Sequence, residues 1–245
     1  MTAIADSLDS ILARASAAVE ARQAPPPSSQ PDDLRDRRHR ALTAAGWPAR
    51  ALRIADGAGY DEARATRYLD ALRLRDGDGQ ARIVILAGHP GSGKTAACAR
   101  WALTRPGPGR SAVFATPRFI TAAGFFRSPR YRREGDEGLT RDQLLAERTL
   151  VLDDLGVEFA DGSGSYRVDL DELVDRFYSD DRALVITTNL VYPSAKARAE
   201  RKAKGQKVDE SAPTFADRYG ERVLDRMREC GRWVDTAAPS MRGAR

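Results

Sequence analysis

Ile83-Val84-Ile85-Leu86-Ala87-Gly88-His89-Pro90-Gly91-Ser92-Gly93-Lys94-Thr95-Ala96-Ala97-Cys98 is the stretch on which the rest of the chain is read. Its first five residues are an apolar run of the kind that forms a strand buried on both faces, and Gly88 ends it. From Ala96 to Leu103 the composition turns helix-prone. Between strand and helix stands Gly-x-x-x-x-Gly-Lys-Thr. Glycines there let the backbone turn tightly enough to aim N–H groups at phosphate oxygens, and the helix N-terminus adds its positive end. Gly88, Pro90, Gly91, Ser92 and Gly93 are thus the expected cradle. Lys94 reaches the β and γ phosphates of ATP, and Thr95 offers a hydroxyl to Mg²⁺.

A metal at a phosphate needs a carboxylate from another strand. Thr149-Leu150-Val151-Leu152-Asp153-Asp154-Leu155-Gly156 supplies one, with Asp153 placed 59 positions after Lys94. Asp153 is the expected Mg²⁺ ligand, and Asp154 the carboxylate that polarises the attacking water. Aspartate is one methylene shorter than the glutamate common at that place, which leaves open slow turnover through a shifted water, an ordinary variant, or a switch that binds ATP without splitting it. Ala183-Leu184-Val185-Ile186-Thr187-Thr188 reads as a strand ending in Asn189, a polar tip able to orient water against the γ phosphate. An Asn that merely closes a turn is the plainer alternative.

Strands are expected at 81–87, 111–116, 149–152, 183–188 and 232–235, with helices or loops long enough for crossovers between them. That pattern implies an α/β fold with a five-stranded, mostly parallel sheet covered on both faces. The length suits one such domain with an appendage. The ATPase domain is expected over 32–245, with its core at about 81–236. Ahead of it, residues 1–23 form an amphipathic helix with Leu8, Ile11, Leu12, Ala15 and Val19 on one face, and the Pro-rich 24–31 a linker. That helix either docks a partner or folds back on its own domain.

Lys+Arg 40 against Asp+Glu 35 is a mild basic excess that permits nucleic-acid contact without demanding it. Only five of those cations are lysine, a bias that a GC-rich genome also produces. Cys98 and Cys230 lack metal-ligand spacing, and no apolar run approaches the length of a bilayer span, so a cytoplasmic protein with no membrane role is expected.

Together with Tyr219-Gly220-Glu221-Arg222-Val223-Leu224-Asp225-Arg226-Met227-Arg228, these motifs resemble the DnaC-type bacterial and phage helicase loaders, within the AAA+ ATPases. The likeness runs from about Arg38 to Arg242 and includes Ala45-Gly46-Trp47-Pro48, similar to that family's motif near the adenine pocket. Thr214 with Asp217 makes a capping box. Phe215, Tyr219, Val223 and Met227 form a buried helical face, while Arg218, Arg222 and Arg226 recur at intervals of four. The resemblance implies that Arg222 or Arg226, the latter first, reaches the γ phosphate held by a neighbouring subunit, with self-association driven by ATP. A solvated basic face is the alternative. Only 56 residues follow Asn189, so no C-terminal lid domain is expected, in agreement with the loaders.

Two basic stretches remain. Phe125, Phe126, Arg127, Arg130 and Tyr131 interleave rings with guanidinium groups, a combination suited to single-stranded DNA, although the two phenylalanines equally suit a core. The segment 196–210 holds Lys196, Lys202, Lys204 and Lys207 and reads as a mobile surface insert, touching nucleic acid or simply solvated. The function implied by the resemblance is ATP-dependent loading of a replicative helicase onto single-stranded DNA. An IstB-like transposition helper and a small-molecule kinase are the alternatives.

Overall fold

A computed structural model describes residues 31–78, 82–105, 116–127, 139–156, 165–180 and 182–236. The expected helix at 1–23 and the linker up to residue 30 lie outside them. Pro31 opens a helix, a position where its missing N–H costs nothing. The described residues up to Arg38 belong to a unit apart from His39 onward, and the second unit holds the sheet.

Strands β1 (Ile83–Gly88), β2 (Arg118–Thr121), β3 (Thr149–Leu155), β4 (Ala183–Thr188) and β5 (Gly231–Thr236) lie in the order β2-β3-β4-β1-β5, every adjacent pair parallel. Before the sheet come α1 (Pro31–Ala44), α2 (Ala49–Asp56) and α3 (Glu62–Asp78). In sequence, α4 (Lys94–Thr104) follows β1, α5 (Ala122–Arg127) and α6 (Arg141–Leu145) follow β2, and α7 (Ser165–Ser179) follows β3. Helices α8 (Ala195–Ala203), α9 (Phe215–Tyr219) and α10 (Glu221–Cys230) fall between β4 and β5.

β1 and β4 are buried along their whole length, as apolar runs in the middle of a parallel sheet must be. Their side chains alternate between two cores. Val84, Leu86 and Val185 pack with Tyr68, Leu72 and Trp101, whereas Ile83, Ile85, Leu184 and Ile186 pack with Phe177, Phe215 and Met227.

The strand expected at 111–116 lies outside the described residues except for Thr116, which is not in a strand; the described β2 starts at Arg118. Only Phe119 of its four residues is buried. Its free edge is covered: the Phe119 N–H donates to the Ala45 carbonyl at 2.9 Å, and the Trp47 ring lies 5.0 Å from that of Phe119. Gly46 makes this approach possible, with φ +88° and a Cβ position that would fall 2.7 Å from the Phe119 oxygen. The Ala45–Pro48 motif is therefore fastened to the β2 edge, where the Trp47 indole also donates to the Pro117 carbonyl at 2.7 Å.

Two further expectations change. The arginine-bearing helix is two helices, broken at Gly220, whose φ of 96° no L side chain adopts comfortably. The Thr214–Asp217 capping box does form, and Phe215, Tyr219, Val223 and Met227 are all buried as a face. The lysine-bearing segment begins as an anchored helix, to Ala203, and only its remainder, with Lys204 and Lys207, is without regular structure. The Ser194 hydroxyl caps α8, and Arg198 donates to the carbonyls of Glu210 (2.9 Å) and Ala212 (2.6 Å).

Candidate nucleotide site

With β4 inserted between β1 and β3, the C-terminal ends of three neighbouring strands deliver the loop after β1, Asp153 and Asn189 to one place, the crevice where open α/β sheets bind ligands. The loop runs from Gly88 to Lys94 and turns through left-handed backbone at Gly91 (φ 83°) and Gly93 (φ 91°). It is pinned from behind by α3: the buried Tyr68 hydroxyl lies 2.8 Å from the Ala87 carbonyl and 3.2 Å from the Ser92 hydroxyl.

Lys94 is the first residue of α4 and only 5% exposed. Its ammonium donates to the carbonyls of Gly88 (2.8 Å) and His89 (3.1 Å) and to Asn189 Oδ1 (2.9 Å). The expected lysine and the expected strand-tip Asn are thus joined directly. One position on, the Thr95 hydroxyl donates to Asp153 Oδ1 at 2.8 Å. The same oxygen accepts from Thr187 at 2.7 Å. Burial pushes the Asp153 carboxyl up; Thr187 pulls it down, Asp154 raises it again, and Thr95 and Lys94 oppose that rise.

Asp154 stands differently. It is exposed and its backbone is left-handed, at φ 57°, among the least common places for a residue with a side chain. The register of β3 against β4 shifts between Leu152 and Leu155, so Asp154 sits in a bulge. Its N–H turns to donate to the Thr187 hydroxyl at 2.9 Å. Thr187 was not among the expected site residues, yet it links Asp153 and Asp154. The signal was present: a hydroxyl within a fully buried strand has to find a partner.

These donors fit ATP with Mg²⁺. At the N-terminus of α4 a buried ammonium is bonded to Asn189 and, one residue on, a threonine hydroxyl is bonded to a buried carboxylate; the oxygen-only set for the metal suits a hard divalent ion.

The expected trans-acting arginines lie on α10 against two acids of α7. Arg226 pairs with Asp175 and with Asp171 at 3.0 Å and is 25% exposed. Arg222 is held more loosely, 3.7 Å from Asp171 and 3.9 Å from Asp175, and is 68% exposed. Among the expected DNA contacts, Phe125 is a correction: it is fully buried in the core, 5.8 Å beneath the Arg141 guanidinium, so no base can stack on it. Phe126 is partly buried, edge-on to Phe125 and Tyr166, and Arg127 is exposed at the end of α5. Arg130 and Tyr131 lie outside the described residues. Among the described residues no helix is long and apolar enough to cross a membrane.

By sequence, the chain matches no protein-family description and no curated protein. Among solved structures, the crystal structure of the DnaC helicase loader aligns with a TM-score of 0.51 at 20% identity, covering 77% of this chain and 99% of that one. The crystal structure of the DnaI aligns with a TM-score of 0.49 at 18% identity, covering 77% and 93%, short of a fold-level match. With its all-parallel β2-β3-β4-β1-β5 sheet and its phosphate loop, this chain is an α/β P-loop protein with the fold of the DnaC helicase loader.

Proposed function

We propose that this chain is an ATPase that loads a replicative helicase onto single-stranded DNA, with slow turnover that depends on assembly. One observation carries the reading: the bonded set Lys94–Asn189 and Thr95–Asp153–Thr187, formed across β1, β3 and β4 in the fold of a helicase loader. Mg²⁺, when bound with ATP, would supply positive charge against the phosphate oxygens. Gly88, Pro90, Gly91, Ser92 and Gly93 present the loop, Lys94 meets the phosphates, and Thr95 and Asp153 hold the cation. Asp154 polarises water. Asn189 both steadies Lys94 and stands at the γ phosphate end of the site. Phe126, Arg127, Arg130 and Tyr131 serve the DNA strand, residues 1–23 grip the helicase, and the protein works in the cytoplasm.

An arginine that completes a neighbour's site requires ATP-dependent assembly. Size-exclusion of the full chain with an ATP analogue, with and without single-stranded DNA, should show an assembled species that nucleotide creates and DNA enlarges. A strictly monomeric ATP complex overturns the reading.

Geometry separates the two arginines. Arg226 is committed to Asp171 and Asp175, whereas the exposed Arg222 is free to extend, so Arg222 is the arginine we assign to the neighbour's phosphate. Arg222→Ala should lower DNA-stimulated turnover at least ~10-fold with little change in melting. Arg226→Ala should instead cost about 1 kcal/mol of stability, because Asp171 and Asp175, one turn apart on α7, keep only the looser, more exposed Arg222 as counter-charge. Turnover and thermal melting of both variants check this; the reverse pattern restores Arg226.

A further inference from the structure

We infer that α8 and the turn that follows it form a second nucleic-acid surface, one that holds the phosphodiester backbone through Lys196 on the helix and Lys204 and Lys207 just beyond its end. Positions 195–207 contain six cations (Lys196, Arg198, Arg201, Lys202, Lys204 and Lys207) against Glu200 alone, an excess of five. The whole chain has a formal net charge of +5, so everything outside this segment balances to zero. Four of the chain's five lysines lie here, in a protein that otherwise uses arginine. A genome-wide preference for arginine does not produce such a concentration.

The two kinds of cation have different tasks. The arginines turn inward and fix the helix: Arg198 holds the Glu210 and Ala212 carbonyls, and Arg201 pairs with Asp235 while its guanidinium lies 5.3 Å over the Tyr192 ring. Arg228 of α10 adds a bond to the capping Ser194 hydroxyl at 3.3 Å. Lys196, Lys204 and Lys207 are exposed, and α8 buries no residue of its own. A helix that adds nothing to the core, yet is fastened at several points, serves to display what it carries.

What it carries selects the partner. Protein interfaces are depleted in lysine and rely on buried aromatic or arginine anchors, and α8 offers no ring and no large apolar side chain. Exposed ammonium groups on long stems, one on an alanine-rich helix and two just beyond its end, match a row of phosphates, and without rings to stack on bases the contact is independent of sequence. Its place is also apt. Asp235 pairs in register with Ala87, just before the phosphate loop, so α8 is anchored at the same end of the sheet as the nucleotide site. The surface is built from a different stretch of sequence than the 125–131 segment and does not depend on a helicase.

The test uses the full chain with Lys196, Lys204 and Lys207 all changed to Gln, and a labelled oligonucleotide, single-stranded or duplex, titrated by anisotropy over a series of salt concentrations. Loss of three phosphate contacts should make the slope of log affinity against log salt shallower by about 2 for single strands, with affinity at ~0.1 M salt lowered roughly a hundredfold. Changing the same three residues to Arg should keep both. An unchanged slope with both oligonucleotides overturns the proposal. So does an unchanged slope accompanied by loss of helicase capture, which would make α8 a protein-docking surface. ATP-dependent assembly of the wild type, measured in parallel, reports on the loader reading alone, so either can fail without the other.

Discussion

Lys94→Ala should abolish ATP-dependent behaviour: turnover falls by about a thousandfold, and added ATP no longer raises the melting temperature. The ammonium lies beneath the loop, donating to Gly88, His89 and Asn189. Lys94 bridges the loop to the tip of β4, so alanine removes both a phosphate ligand and a tether of Asn189. The effect on the protein without nucleotide should be much smaller. Burying a charge is itself costly, and removing it offsets part of the lost hydrogen bonding. Binding of a fluorescent ATP analogue, turnover, and melting with and without ATP together check this. A variant that still gains stability from ATP places the nucleotide elsewhere.

The second large effect is structural. Gly231→Ala should destabilise the fold by about 3 kcal/mol, lowering the melting temperature on the order of 10 °C. A Cβ at this position would overlap the Met227 carbonyl oxygen and sit 2.8 Å from that of Ile83. Both obstacles are backbone. Ile83 belongs to the buried β1, and the neighbouring Arg82 N–H donates to the Cys230 carbonyl at 2.9 Å, so the chain on either side is already committed. The strain must therefore displace the junction of α10 and β5, and with it Asp235, the anchor of α8. Denaturant unfolding measures the loss, and a change below about 1 kcal/mol would show that the junction yields.

The parts of the fold legible in the sequence were those that physics constrains from both sides. β1 and β4 are apolar throughout because no face of either meets water, and β3 is apolar until its acids. β2 at Arg118–Thr121 was not anticipated because it is four residues long, lies at an edge and follows Pro117, which reads as a breaker, while the strand expected at 111–116 falls almost wholly outside the described residues. Phe125 and Phe126 are adjacent letters with different fates, since the first is fully buried in the core and the second only partly buried against it; neither composition nor spacing distinguishes them. For the site, the loop, Asp153 and Asn189 announced themselves as residue types at strand ends, and the structure brings them together. Thr187 and Tyr68 did not, because their roles come from hydroxyls that reach across the sheet or from an earlier helix. The acids Asp171 and Asp175, on a helix distant in sequence from α10, were invisible for the same reason.

The left-handed backbone at Asp154 also limits which acid can occupy that place. Aspartate tolerates such a conformation better than most residues with a side chain, whereas a longer acid enters it at a cost on the order of 1–2 kcal/mol. Codons for the two acids differ by one nucleotide, so glutamate is always within mutational reach here. The bulge stands in its way, and the shorter carboxylate is thus a choice made by the main chain, which the chemistry of the site then has to accommodate.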